Sequence, residues 1–302
     1  MLILFLCLST VVQADYVSNH LCCFAIATPL NPLSTASSEP AKKSLRTRLL
    51  ISSLALGVVL YGATNWWEDS SGEFRVRNEG WFEADSPNGG ADKLGHGYSA
   101  YVSTRLLTKG FQWAGHSQAQ AAQLSAITSA GLLFGVEVLD GFTERYGFST
   151  VDMVMNLAGV GLGLVLEAYP QWDERFDFRL HYWPSDDARR LNEYDPVADY
   201  SGQTYLWITK ASGFKALQEH SWLRYLELAI GYGTRGYQPT AGLNAQPKER
   251  NLYAGISINL SLLLNDKVFK GQKHYQTTQK VTTELLEYLQ LPGTVLLHEH
   301  NL

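Results

Sequence analysis

The sequence predicts a membrane-associated α+β protein. About four apolar helices, the first an N-terminal anchor, would form a bundle, followed by a sheet-rich antiparallel β region and a terminal amphipathic helix. Three observations carry this. Residues 49–67 form a charge-free apolar run behind a basic cluster. Residues 92–169 keep apolar side chains at helical spacing. After Pro170 the apolar period changes from 3.6 to 2. The division follows: 1–45 a targeting and linker segment, 46–170 the helical bundle, 171–302 the β-rich region.

The 302 residues are 45% hydrophobic and 18% charged, with a net charge of −5 and a mean hydropathy of −0.12. A folded chain averages about 25% charged residues, so this one is charge-poor. The hydropathy excludes a chain built mostly of membrane helices. The negative balance argues against nucleic acid as the main partner, which would call for a basic face. The three cysteines, Cys7, Cys22 and Cys23, lie near the N-terminus, so the rest of the chain has no disulfide framework.

Residues 1–14 read as a short signal peptide ending in Val-Gln-Ala. Leu6 precedes Cys7 and Leu21 precedes Cys22, so neither cysteine sits in a good lipoprotein box. Residues 31–41 are rich in Ser, Pro and Ala, which reads as a linker. Lys42, Lys43, Arg46 and Arg48 precede the run 49–67, whose nineteen residues are long enough for a hydrocarbon layer of roughly 30 Å. Trp66 and Trp67 end it as interfacial aromatics, and the basic flank places its N-terminal side in the cytoplasm. Residues 68–90, ending in Asn88-Gly89-Gly90, read as a loop.

Three helices are expected next. The first covers 92–108 and is amphipathic, carrying Lys93, His96, Arg105 and Lys109. The second covers 118–139, with Gly131 and Gly135 four apart. The third covers 151–169, opened by a Ser149–Asp152 capping box and closed by Pro170. Its Gly159 and Gly163 form a small-residue pair that lets helices approach closely, so self-association is compatible with the chain. His116 lies in the inter-helix loop, solvated and without a role. Strands are expected at 176–182, around 205–208, and within 222–237 and 251–264. In the last two, Leu226, Leu228, Ile230 and Tyr232, and Leu252, Ala254, Ile256, Ile258, Leu260 and Leu262, share a face. That pattern resembles apolar-out barrel strands. Four strands cannot close a membrane barrel, which takes about eight, so a half-buried sheet packed on the helices is favoured. Residues 277–290 read as the terminal amphipathic helix, ended by Pro292-Gly293.

Ionisable groups inside a helical bundle are expensive and are functional candidates. Asp92, Lys93 and His96 open the first helix, Glu137 and Asp140 close the second, and Asp152 and Asn156 open the third. Antiparallel helices joined by short loops bring those ends together, under a loop at 141–148 carrying Glu144 and Arg145. In one reading His96, Glu137, Asp140 and Asp152 bind a divalent metal that activates water or a phosphate oxygen. In the other the groups form a hydrogen-bonded network with Lys93 that holds the helices or grips a polar headgroup. Asp92 and Ser149 also fit as simple helix caps. No nucleophile triad, P-loop or dinucleotide fingerprint is present.

These residues carry a resemblance. Asp92-Lys93-Leu94-Gly95-His96 with Ser99, then Gly135-Val136-Glu137 with Asp140, then Gly147-Phe148-Ser149 with Asp152, then Gly159 and Gly163, resemble the YfiM-like family of periplasmic lipoproteins of unknown function (the DUF2279 group). More distantly, the order Asp-Lys, His, Glu, then Asp152 and Asn156, is similar to VanZ-like membrane proteins. The resemblance covers about residues 90–165. Gly97 stands where the family has Phe after the His, and the lipobox is missing, so the helix at 49–67 would replace a lipid anchor.

The resemblance implies a bacterial envelope protein with a helical, membrane-associated core and no established reaction. The expectation is an envelope protein in contact with membrane lipid, structural or lipid-interacting. The enzymatic alternative is a metal-dependent hydrolase acting on a lipid or cell-wall precursor. The inner membrane is favoured over the outer, with the polar cluster facing the periplasm. Four spanning helices would put both termini in the cytoplasm, which conflicts with barrel-like strands.

Overall fold

A computed structural model describes residues 39–70, 72–192, 194–237, 247–272 and 276–302. The signal-like segment, most of the linker and all three cysteines lie outside the described residues. The chain forms two compact units. One comprises the residues up to Val76 with Ser103–Phe148; the other comprises Arg77–Val102 with Ser149–Leu302.

The first unit is helical. α1 spans Glu39–Asn65, α2 spans Ala91–Trp113 and enters this unit at Ser103, and α3 spans Gln118–Asp140. Leu50 and Leu54 of α1 pack with Leu107 and Phe111 of α2 and Ala121 of α3. Ser117 caps α3, its hydroxyl accepting from Gln120 N, which satisfies a donor the helix leaves free. The expected loops 68–90 and 141–148 meet here: Ser70 bridges Thr143 and Val76 bridges Phe148. Two expectations change. His116 is not merely solvated, since its Nε2 lies 2.8 Å from Thr47 Oγ1. The helix 92–108 extends to Trp113 and is not a fourth apolar span. Among the described residues, three helices are long and apolar enough to cross a membrane: α1, α3 and α4, which covers Thr150–Ala168.

The second unit combines the N-terminal half of α2 and α4 with a sheet of six strands: β1 (Phe176–Tyr182), β2 (Gln203–Lys210), β3 (Leu226–Arg235), β4 (Glu249–Ile258), β5 (Leu289–Gln290) and β6 (Val295–Asn301). Their order is β5-β1-β2-β3-β4-β6. The sheet is mixed rather than antiparallel throughout, because β5 runs parallel to β1. The expected terminal helix is present as α5 (Gln276–Tyr288), but it is not terminal. The turn through Pro292 and Gly293 returns the chain as β6 along β4. The strand expected to reach residue 264 stops at Ile258, where Asn259 Oδ1 accepts from Leu262 N at 2.9 Å and caps a helical turn, Leu260–Leu264.

α4 packs on α2 through glycine. A Cβ on Gly159 would lie 2.0 Å from Gly97 O and 2.8 Å from the Ala100 Cβ. α2 packs on the sheet through aromatics: Tyr98 donates to Tyr288 O at 2.6 Å and meets Phe178 and Tyr205, and Tyr101 meets Phe178 and Tyr288.

The sheet curls strongly. β5 and β4 are separated by β1, β2 and β3 in the strand order, a span of nearly 20 Å in a flat sheet at about 4.8 Å per strand. Yet Gln290 Nε2 donates to Ser257 Oγ at 3.0 Å. The concave face is buried and mixed: Asp177, Arg179, Glu227, Ser257 and Gln290 lie on the same side as an apolar cluster of Leu206, Ile208 and Ala229 with Val295 and Leu297. Gly255 sits where a side chain would collide with Leu296 O. The apolar side of β3 and β4 is the outer one: Leu228, Ile230, Leu252, Ile256 and Ile258 are exposed. Among the described residues, the outer face packs on α2 near β1 and β2. The expected half-buried sheet is therefore covered on one half and bare on the other.

Candidate functional site

The site is built on the start of α2. The chain reaches it through Gly89 and Gly90, both with positive φ (60° and 86°), a conformation that glycine adopts at no steric cost. A Cβ on Gly90 would lie 2.3 Å from the Phe82 ring. Residues 77–90 are tied down within this unit: Tyr237 donates to Ala84 O at 2.9 Å, Tyr232 to Gly89 O, and Arg250 to Phe82 O. This segment carries Glu79 to the helix start.

Lys93 is fully buried there. Its Nζ lies 2.7 Å from Glu79 Oε2, 2.9 Å from Asp92 Oδ2 and 2.9 Å from Asp152 Oδ1. An ammonium has three protons to donate, and three carboxylates surround it. Burial alone would push Lys93 down, but Asp92 and Asp152 outweigh it and hold the ammonium well above its usual range. Burial pushes the Glu79 carboxyl up, against the opposing pull of Lys93.

One ammonium facing three carboxylates leaves excess negative charge. Asp92 and Asp152 both sit in first helical turns, and each helix N-terminus presents a partial positive charge of roughly half a unit. With Lys93, the two helix ends come close to balancing the two aspartates. Glu79 is left as the carboxyl that burial drives toward its protonated form. Ser149 caps α4 as its spacing predicts, accepting from Asp152 N at 3.2 Å. His96, one turn along α2 and partly exposed, has its Nε2 3.9 Å from Asp152 Oδ2. Asn156, one turn along α4, is buried, and among the described residues neither of its amide atoms has a hydrogen-bond partner.

The second unit thus holds Asp92, Lys93, His96, Asp152 and Asn156. Glu137 and Asp140 belong to the first unit. Glu137 is buried there. Asp140 Oδ1 accepts from Trp67 Nε1 at 2.6 Å. Sequence reasoning missed Glu79, which lies in an irregular stretch with no periodicity to mark its side chain as buried.

It also missed a second ionic cluster inside the curled sheet. Arg179 donates to Asp177, to both oxygens of Glu227 (2.9 and 2.8 Å) and to Gln290 Oε1 at 3.1 Å. Lys210 Nζ donates to Asp177 Oδ1 at 2.6 Å. The period-2 pattern marked positions 177 and 179 as one face of a strand but not as an interior. Asp177, Arg179 and Lys210 also line a polar cavity of about 330 Å³.

These features define a protein with candidate membrane helices and a buried ion-pair joint between a loop and two helix starts. Residues 78–168 match the family model described as a predicted periplasmic lipoprotein (DUF2279). That stretch contains every residue of the joint and both Glu137 and Asp140. No curated protein and no solved structure matches the chain.

Proposed function

We propose that the protein is a membrane-anchored component of the bacterial envelope with a structural, lipid-interacting role, in which the Lys93 cluster is a joint rather than a reaction centre. One observation carries this reading: the Lys93 ammonium fills the middle of the carboxylate group, within 2.9 Å of all three. A catalytic metal needs an open coordination position for water or substrate, and here the central position belongs to a side chain. The family match supports an envelope location. α1, α3 and α4 supply candidate anchors, and the basic flank of α1 favours a periplasmic side for the start of α2.

One feature favours a second reading. Oxygen atoms of Glu79, Asp92 and Asp152 lie within 4.8 Å of one another, and His96 stands beside Asp152. A divalent cation that displaced the ammonium would find ligands there, and a metal-dependent hydrolase acting on a lipid or cell-wall precursor would use it.

Metal analysis of the detergent-purified chain tests the two. The structural reading expects no stoichiometric divalent metal and an unchanged melting midpoint in His96→Ala. One metal per chain, lost in a folded His96→Ala variant, would overturn it.

A further inference from the structure

We infer that the bare outer face of β3, β4 and β6 is a lipid-contact surface that seats the second unit on the acyl-chain region of a bilayer. The face consists of Leu228, Ile230, Leu252, Ile256, Ile258 and Leu296, with the exposed His298 and His300 of β6 at its polar edge beside Ala254 and Leu252. Leu228 is 63% exposed, Ile230 59% and Leu296 81%. The strand register makes them one surface: Leu228 pairs with Ile256, and Ile256 with Leu296.

Three observations point to hydrocarbon as the occupant. First, the sheet is inverted relative to one that faces water. A solvated antiparallel sheet turns its polar side outward. This one buries Asp177, Arg179 and Glu227 beside the Leu206, Ile208 and Ala229 cluster and presents aliphatic side chains outward. Second, β3 and β4, which carry all of the patch except Leu296, have backbones paired on both sides, while β6 forms the sheet edge. β3 is hydrogen-bonded to β2 and β4, and β4 to β3 and β6. Lipid tolerates a surface only where backbone polar groups are satisfied internally. Third, the same unit contains α4, a candidate membrane span with Val154, Leu157 and Val165 exposed. α4 lies on α2, and α2 lies on the outer face of β1 and β2, so helices and bare patch share one side of the sheet.

The outer face carries no charged side chain from Leu226 to Tyr232 of β3 or from Leu252 to Ile258 of β4. On this face the first charge is Arg250, paired with Thr234 at the strand ends, and Trp222 stands exposed before β3. This limits the contact to a patch seated on the membrane, not a strand pair crossing it.

The inference rests on the membrane-anchored reading, and the test separates the two. In the full chain with Cys7, Cys22 and Cys23 replaced by Ser, single cysteines at Ile230, Ile256, Leu157 and Lys248 take an environment-sensitive fluorophore. The chain is reconstituted in phosphatidylethanolamine–phosphatidylglycerol vesicles with or without acyl-chain spin-labelled lipid. The expected result is blue-shifted emission at Ile230 and Ile256, quenched by the labelled lipid as at Leu157, with Lys248 quenched only by aqueous iodide. Lipid quenching at Leu157 with iodide quenching at Ile230 and Ile256 would overturn the inference and leave the anchored reading standing. Iodide quenching at all of them would remove both. Protection of Ile230 and Ile256 from both quenchers, with disulfide crosslinking between copies, would assign the face to a second copy and overturn the lipid contact.

Discussion

Lys93 donates three protons, and Glu79, Asp92 and Asp152 receive them. Removing the ammonium leaves buried carboxylates facing one another, the situation in which breaking a buried ion pair costs about 3–5 kcal/mol. Lys93→Met is expected to lower stability by that amount in a denaturant titration. Glu79→Gln keeps an acceptor and removes a charge that burial already disfavours, so its cost stays near 1 kcal/mol or below. A larger loss in Glu79→Gln than in Lys93→Met would contradict this division of roles. The pH dependence carries a sign at another residue. Burial, with Arg235 nearby, holds His181 below its usual 6.5. The unfolded chain then binds the proton more readily, so stability falls as pH drops below about 6.5. Melting midpoints at pH 7.5 and 5.5 should differ less in His181→Phe than in the parent. Sequence alone singled out Lys93 and Asp152 because charge is rare in apolar helices. It did not find Glu79 or the Arg179 cluster, whose burial depends on what folds over them.

At the scale of elements, apolar spacing located α2 to α4 to within about five residues, the apolar run found α1 but not its basic first ten residues, and period 2 located β1 to β4. Two glycine pairs looked alike in sequence. A Cβ on Gly131 or Gly135 would meet nothing within 4 Å, while Gly159 lies against Gly97 and Ala100. Spacing cannot tell them apart, because the difference is whether another helix passes there. Gly159→Val would force a backbone carbonyl aside and is expected to cost about 1–3 kcal/mol. Gly161→Ala, with nothing within 4 Å, should leave the melting midpoint within about 2 °C, the lower end of the shift for 1 kcal/mol in a domain of this size. Equal effects would mean that α4 does not pack through Gly159. β6 escaped sequence reading because Val-Leu-Leu-His-Glu-His-Asn alternates poorly. Pairing with β4, rather than its own pattern, makes it a strand.

For the whole molecule, the expected outcome is membrane association that survives alkaline carbonate and yields to detergent. α1, α3 and α4 run 27, 23 and 19 residues, and even the shortest reaches about 28 Å at 1.5 Å per residue. Release by carbonate would contradict the anchored reading. Reporter fusions after Pro170 and at the C-terminus test topology: three spans put both on the side opposite the basic flank of α1, whereas four put them on the same side. The sequence by itself determined the α+β class, the positions of long apolar helices at α1, α3 and α4 while also counting α2 among them, the strand periods and the concentration of charge at helix starts, because these are local properties of spacing and composition. Only the tertiary structure decided which strand face turns inward. Period 2 assigns side chains to two faces, but the curl of the sheet chooses between them. That choice buried Arg179 with its carboxylates and left Leu228, Ile230 and Ile256 outside.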